Sequence, residues 1–212
     1  ALAASLGSAS SQTLYWGGGN STIANDTTIP TLWSSLNGTW STSISNFANS
    51  PTSPNTYQAW TQNATFRGNF GGYGANNTTE SVVINLGSNI SSPSLNFELG
   101  IPLPGNSTNK RVQINAASAT NLTLTGTAPV IDVRANGADL RSIDTVSVDI
   151  NGSGSNVSLQ GSNGFTKTGN YGLRIFGNQN ALTGTVNILH NSKSLVDQSS
   201  AGFVQVGTSG IN

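Results

Sequence analysis

The most constraining feature of this sequence is a series of short segments in which apolar and polar residues alternate. They follow one another from residue 81 onward: SVVINL, SLNFEL, KRVQIN, NLTLTG, DTVSVDI, NVSLQG, YGLRIF, TVNILH and FVQVG. Alternation with a period of two is typical of β-strands, and Gly, Asn or Pro chemistry turns the chain after each segment. The roughly ten or more residues of helical periodicity that a helix requires are absent. The sequence therefore predicts an all-β protein.

The spacing of these segments narrows the choice among all-β folds. They recur about every 10 to 18 residues in a chain rich in Asn, Ser, Thr and Gly, which favours a coil that stacks rung on rung. In such a solenoid the inward Val, Ile and Leu residues of successive rungs form ladders. Regular short strands also suit a β-sandwich, which remains the alternative.

The large aromatic residues divide the chain into three regions. Residues 1–12 are small and polar and predict an extended arm, residues 13–80 form a Trp-rich N-terminal cap region, and residues 81–212 form the rungs. The four tryptophans all lie in the cap region: Trp16, Trp33, Trp40 and Trp60. We expect these rings to cover one end of the solenoid, and the alternative is a platform on which sugars stack.

Charge and cysteine content exclude several classes of function. Only 8% of the residues are charged, against about 25% in ordinary soluble domains, and the formal net charge is zero. Nucleic acids and anionic lipids need clustered Lys and Arg, so neither is an expected partner. No cysteine is present to form a disulfide or a thiolate metal site. No stretch approaches the roughly 18 consecutive apolar residues of a membrane span.

The first residues point to export. The chain opens with ALAASLGSAS rather than with Met, and a start in small residues suits the removal of a secretion signal. We therefore expect a secreted, extracellular protein at a cell surface.

Eleven asparagines match the Asn-x-Ser/Thr pattern of N-glycosylation. The candidates include Asn20, Asn37, Asn63, Asn89, Asn106, Asn121 and Asn156. Composition alone would produce about seven such matches by chance in a chain so rich in Asn, Ser and Thr. Glycosylation and composition both stay open as interpretations.

Catalytic chemistry has few candidate residues. Acidic residues cluster in one part of the sequence, where two arginines lie among four aspartates: Asp132, Asp139, Asp144 and Asp149, with Arg134 and Arg141. Paired carboxylates about 5 to 10 Å apart serve glycoside hydrolysis, whereas solvated aspartates that pair with the two arginines have only a structural role. His190, the only histidine, has no nucleophile or carboxylate near it in sequence. We therefore expect a protein without enzymatic activity that binds no cofactor and no metal. The alternative is a carbohydrate-active enzyme.

Residues 124–188 resemble a repeat of bacterial surface proteins. The family phrase is close to G-L-T-K-x-G-x-G-x-L-x-L-x-G-x-N-x-Y-T-G, and this chain reads GFTKTGNYGLRIFGNQNALTG. The matching residues are Gly164, Phe165, Thr166, Lys167, Gly169, Gly172, Leu173, Ile175, Gly177, Asn180, Thr183 and Gly184. This phrase resembles the autotransporter-associated β-strand repeat, also called the passenger-associated transport repeat. Leu182 replaces the usual aromatic residue, and Arg174 is an uncommon charge inside the strand.

The first third of the chain adds to this resemblance. LYWGGGN, TLWSSLNGTW and AWTQNATFRGNFGGYG are similar to the tryptophan-rich opening that precedes such repeats. The resemblance implies a right-handed parallel β-helix displayed outside a bacterium. Large members of the family carry many copies of the repeat, whereas this chain has one good copy.

A solenoid leaves two ends of unpaired strands, which must be covered or used. The C-terminal run AGFVQVGTSGIN carries no charged cover. We therefore expect a non-enzymatic structural subunit that assembles head to tail into a surface filament or layer, with residues 1–12 adding as a strand to the neighbour. The alternatives are an adhesin or passenger module that binds glycans of a host or matrix surface, and a β-sandwich joined by donor-strand exchange.

Overall fold

The structure is a computed structural model that describes residues 12–18, 37–50, 56–70, 80–99, 110–135, 146–151, 155–177, 179, 181–189 and 204–207. These ranges contain β-strands and no helix, which confirms the all-β prediction for them. The strands are β1 (Thr13–Trp16), β2 (Gly38–Trp40), β3 (Phe47–Ala48), β4 (Tyr57–Gln58), β5 (Thr65–Phe70), β6 (Glu80–Leu86), β7 (Ile90–Ser92), β8 (Leu95–Leu99), β9 (Lys110–Asn115), β10 (Thr120–Leu124), β11 (Val130–Ala135), β12 (Val146–Ile150), β13 (Val157–Gln160), β14 (Phe165–Thr168), β15 (Gly172–Phe176), β16 (Val186–Ile188) and β17 (Val204–Gly207).

The strands form three sheets. The first sheet has eight strands in the order β16-β14-β11-β8-β5-β1-β3-β4, the second has six in the order β17-β15-β12-β9-β6-β2, and the third has three in the order β13-β10-β7. The pairings are parallel, with two exceptions at one edge of the first sheet, where β1 pairs antiparallel with β3 and β3 with β4. Parallel neighbours cannot be joined by a tight hairpin, so the chain must cross over between them.

The crossovers follow a fixed order. From β5 onward the chain visits the first, second and third sheets in turn and then returns to the first, through β8, β11 and β14. After β15, a parallel bridge joins Leu182 to Gly161 next to β13, and β16 and β17 then add to the first and second sheets. Each circuit therefore lays one strand of each sheet against the strand laid one circuit earlier.

The register of the pairings aligns inward side chains into columns. In the second sheet Ile84, Ile114, Ile150 and Ile175 are in register, and all four are buried. Ile90, Leu122 and Leu159 form the equivalent column of the third sheet. In the first sheet the column is Leu14, Phe66, Leu95, Ile131, Lys167 and Ile188. We call this last set the first-sheet column.

The Trp-rich region joins the same sheets as the rungs. β1 pairs with β5 in the first sheet, and β2 pairs with β6 in the second, so pairing continues across the predicted boundary at residue 80. Of the predicted arm only Gln12 lies within the described residues, and its carbonyl accepts a hydrogen bond from Thr65 N–H at 2.7 Å.

Candidate functional site

The three described tryptophans pack among other rings at one end of the sheets. Trp16, Trp40 and Trp60 are all buried, whereas Trp33 lies outside the described residues. The Trp40 ring stacks on Phe66 at a centroid distance of 4.5 Å and lies 4.8 Å from Trp60. Sugar stacking needs an exposed ring face, and these faces contact neighbouring rings instead. Their packing favours the cap interpretation of the tryptophans.

Side chains cover the strand edge of the third sheet at this same end. β7 has one neighbour among the described strands, β10, and Gln62 bonds to its other side. The Gln62 amide donates to the Asn89 carbonyl at 2.8 Å and accepts from Ser91 N–H at 2.6 Å. The Ser91 carbonyl accepts hydrogen bonds from Asn63 N–H and from the indole N–H of Trp60. Backbone groups that would otherwise be unpaired are thereby satisfied.

The first sheet is also covered at this end. Beyond β1 the antiparallel strands β3 and β4 extend the sheet, and Leu14, the terminal member of the first-sheet column, is 0% exposed. We call this end, with its aromatic cluster and Gln62, the closed end.

The opposite end of the first sheet exposes apolar side chains. β16 pairs with β14 along one edge, and no described residue pairs with its other edge. Val186 is 42% exposed, Ile188 52% and Leu189 56%. Ile188 continues the first-sheet column and Val186 is in register with buried Phe165, so a further strand paired with β16 would cover both side chains. We call this end, formed by Val186, Ile188 and Leu189, the open end.

The backbone at the open end also has hydrogen-bonding groups for which the described residues supply no partner. Thr185 C=O accepts from Phe165 N–H, and Leu189 N–H donates to Lys167 C=O. Backbone groups alternate in direction along a strand, so those of Val186 and Ile188 point away from β14. An edge of this kind can accept a further strand.

The open end was located only approximately from sequence. From sequence, the uncovered strand is expected in the run AGFVQVGTSGIN. Within that run, Val204–Gly207 form β17 of the second sheet. Among the described residues, the exposed large apolar side chains are Val186 and Ile188 of β16, Leu189 directly after it, and the isolated Ile44 between β2 and β3. The pair Ile188 and Leu189 was the available signal, because adjacent apolar residues cannot both face the interior of a strand.

A lysine occupies an inward position next to the open end. Lys167 is fully buried in the first-sheet column, and its ammonium group donates to the carbonyls of Gly169, at 2.7 Å, and Tyr171. Burial lowers the pKa of Lys167 to about 8, and the charge of Asp132 acts in the opposite direction. The side chain therefore satisfies carbonyls of the turn that leads from β14 to β15.

The sequence prediction for two aspartates needs correction. Asp132 and Asp149 are buried rather than solvated, and Asp149 pairs with Arg174 at 2.8 Å. The cause is the register, which places Asp149 directly beside Arg174 on the neighbouring strand. A charge that is buried in this way requires a partner.

Asp132 does pair with Arg134, as predicted, and its other oxygen accepts a hydrogen bond from the Thr168 hydroxyl at 2.6 Å. Asp132 belongs to the first sheet, whereas Asp149 belongs to the second. The other candidates, Asp139, Asp144, Arg141 and His190, lie outside the described residues. Within the described ranges no group of three or more His, Asp or Glu side chains could hold a metal ion.

Several candidate glycosylation sites act as structural hydrogen-bonding groups. The side-chain oxygens of Asn37 and Asn89 accept from the backbone N–H groups of Val83 and Asn121, at 2.7 and 2.9 Å. The Asn156 amide donates to Ala117 C=O at 3.1 Å. Asn63 is exposed in a turn, at a φ of 66°. Asn20 and Asn106 lie outside the described residues.

Comparisons of this chain with family models, with curated proteins and with solved structures gave no match. In the part of the chain that the structure describes, no helix is long and apolar enough to cross a membrane. The function is therefore argued from the geometry of the two ends.

Proposed function

We propose that this chain is a right-handed parallel β-helix that serves as a non-enzymatic extracellular structural subunit and joins copies of itself head to tail into a filament or surface layer. The observation that carries the proposal is the open end. Val186 and Ile188 continue columns of the core and yet are 42% and 52% exposed, beside a strand edge that no described residue pairs with.

The crossover order supports the β-helix. Every circuit from β5 onward adds parallel strands in the same sequence of sheets, as a coil does. A β-sandwich of the donor-strand type would have antiparallel sheets, whereas among the described strands only β1, β3 and β4 pair in an antiparallel manner. Right-handedness follows from the strong preference of parallel crossovers for that hand.

The repeat resemblance is part of the proposal, and the geometry of the phrase GFTKTG supports it. Gly164 and Gly169 have φ values of 63° and 79°, which favour glycine. A Cβ atom on Gly169 would lie 2.1 Å from the Val133 carbonyl oxygen of the previous rung. Together with the inward Lys167, the two glycines give the phrase a physical role in stacking one rung on another.

Head-to-tail contact would bring the closed end of one copy to the open end of the next. At the closed end β3 and β4 extend the sheet beyond β1, and Gln62 bonds to the edge of β7, so β1 and β7 offer no free edge. Our candidate for the strand that pairs with β16 is the predicted arm, residues 1–12. Strand addition of this kind supplies backbone hydrogen bonds, and the covered Val186 and Ile188 supply hydrophobic energy.

The non-enzymatic part of the proposal is supported by the two described candidate aspartates. Each is buried, each bonds to its own arginine, and they belong to different sheets. A glycosidase pair would need both carboxylates at one sugar. The adhesin alternative has less support, because Trp16, Trp40 and Trp60 are buried.

The test is a substitution at the open end with a matched control on a side face. Ile188→Lys places a charge at the proposed contact, and Thr123→Lys places the same charge on β10, the middle strand of the third sheet. Sedimentation velocity over a range of concentrations should show large assemblies for the wild type and for Thr123→Lys, and a monomer for Ile188→Lys. Electron micrographs of the wild type should then show filaments or layers. A wild type that stays monomeric at high concentration contradicts the proposal.

A further inference from the structure

One arginine of the second sheet differs from the other described arginines. Arg67 pairs with Glu98 at 2.6 Å, Arg134 with Asp132, and Arg174 with Asp149. Arg111 forms no ion pair with any described residue, and its Nε atom is buried without a hydrogen-bond partner. A guanidinium group that is partly removed from water requires an anionic or polar partner.

Among the described side chains, the neighbours of Arg111 supply no carboxylate of its own to compensate its positive charge. Arg111 is in register with Ser147, whose hydroxyl donates to Asp149 and accepts from Arg174, both at 2.8 Å. Both carboxylate oxygens of Asp149 accept from Arg174, at 2.8 Å each. One carboxylate thus faces two guanidinium groups, and it is engaged by Arg174.

The electrostatic environment of Arg111 is consistent with this shortage of negative charge. Burial lowers the pKa of Arg111, the charge of Arg174 lowers it further, and Asp149 acts in the opposite direction. Arg111 is only partly buried as a residue, so part of it remains in contact with solvent and with dissolved anions. Its parallel N–H groups match the two oxygens of a carboxylate or sulfate.

We propose that Arg111, beside Ser147 and Arg174 on the outer face of the second sheet, binds an oxyanion: a carboxylate or a sulfate group. Either group occurs as a free ion or as a substituent of an acidic polysaccharide, and the chemistry of recognition is the same. In a chain of zero net charge, long-range attraction contributes little. Affinity for a single group is therefore weak, and a polysaccharide with repeated groups would bind more tightly.

The experiment follows the arginine Nε–H signals of the wild type by NMR during titration with sodium sulfate, with galacturonate and with neutral galactose, at constant ionic strength. Sulfate or galacturonate should shift the Arg111 signal and leave the Arg67 signal in place, and galactose should shift neither. A response to only one of the two anions also supports the site, and it shows whether the site selects a planar carboxylate or a tetrahedral sulfate. Tighter binding of polygalacturonate than of the monomer assigns the group to a polysaccharide, and equal binding assigns it to a free ion.

The matched variants are Arg111→Gln and Arg67→Gln, which remove the same charge from different sheets. Arg111→Gln should weaken anion binding roughly tenfold to a hundredfold, as expected for the loss of hydrogen bonds to a charged group, and Arg67→Gln should leave it unchanged. The proposal is overturned if neither anion shifts the Arg111 signal, or if the two variants bind anions equally well. The wild-type titration decides the question even if Arg111→Gln does not fold.

Discussion

The two ends of the first-sheet column are built differently although they belong to the same row of inward side chains. Leu14 terminates the column at the closed end and is 0% exposed, whereas Ile188 terminates it at the open end and is 52% exposed. Beyond β1, which carries Leu14, the first sheet continues into antiparallel strands beside the aromatic cluster, whereas beyond β16, which carries Ile188, it has no further described strand. Strand pairing within a sheet leaves the outer edge of its first and last strands unpaired, so each of these edges must be covered in its own way.

Because the two ends are built differently, we expect the closed end to contribute mainly to the stability of the fold and the open end mainly to assembly. At the closed end Trp40, Phe47, Trp60 and Phe66 form five ring pairs with centroid distances of 4.5 to 6.2 Å, and this packing contributes to folding. At the open end the exposed Val186 and Ile188 contribute less to folding, since much of their surface stays in water. Substitutions at the two ends should therefore affect different measurements.

The largest expected effect is that of Trp40→Ala at the closed end. Loss of this buried ring should lower the free energy of unfolding by about 3 to 5 kcal/mol, because it leaves a cavity among three other rings. Urea unfolding measures the change. Ile188→Ala is the control at the open end and should cost less than about 1.5 kcal/mol, since half of its surface is already in water. Equal losses for the two variants would remove the distinction between the ends.

The second prediction concerns the position before each terminal member of the first-sheet column, which is Phe66 at the closed end and Lys167 at the open end. The pKa of Lys167 in the folded chain is about 8, below the ordinary 10.5, so the unfolded chain binds more protons between these values. Stability should therefore rise with pH from about 8 to 10.5, by up to about 3 kcal/mol, and this rise should be absent in Lys167→Met.

Urea unfolding of the wild type and of Lys167→Met at several pH values checks this. Burial raises the pKa of Tyr57, which lowers stability above pH 10, but Tyr57 is present in both proteins and cancels in the difference. A difference between the two proteins that does not change with pH would show that Lys167 stays protonated throughout.

The third prediction concerns the attachment of β16 to β14. Gly164 has a φ of 63°, and a Cβ atom there would lie 2.0 Å from the Thr185 carbonyl oxygen. Gly164→Ala should cost about 1 to 3 kcal/mol of strain and should increase hydrogen exchange in β16 while the closed end stays protected. Ser162→Ala, in the exposed part of the same turn, is the control and should leave exchange in β16 unchanged.

The smallest effect is expected when the Gln62 side chain, which covers β7 at the closed end, is removed. Gln62→Ala removes the side chain that bonds to Asn89 and Ser91, at a cost of about 1 to 2 kcal/mol. It also leaves backbone groups of β7 unpaired, so association through this end should increase. Sedimentation velocity measures this, with Gln160→Ala on the face of β13 as control. Association of Gln62→Ala that does not exceed that of Gln160→Ala would mean that Gln62 does not protect the edge.

Local alternation was sufficient to locate most strands of residues 81–212. KRVQIN coincides with β9, and the segments SLNFEL and YGLRIF begin one residue before β8 and β15. β14 was not predicted as a strand because Lys167 stands at an inward position, where the pattern requires an apolar residue. β11 was also missed, although Ile131 and Val133 alternate there with Asp132 and Arg134 as the pattern of a strand requires.

The two ends could not be assigned from sequence for a different reason. Whether Trp40 lies in the core or exposes a face depends on Phe66 and Trp60, and the exposure of Ile188 depends on the lack of a following rung among the described residues. Similarly, the pairing of Asp149 with Arg174 depends on strand register. Register and stacking are set by the whole circuit, so a local pattern does not contain them.

The most direct test of the open end is the hydrogen exchange of the Val186 and Ile188 backbone amides as a function of protein concentration. These N–H groups point away from β14, so they should exchange rapidly in dilute solution and become protected when a second copy adds a strand to β16. The amides of Leu122 and Thr123, in the middle of the third sheet, should be unaffected by concentration. Exchange at Val186 and Ile188 that stays fast in assembled protein would contradict an assembly built on this edge.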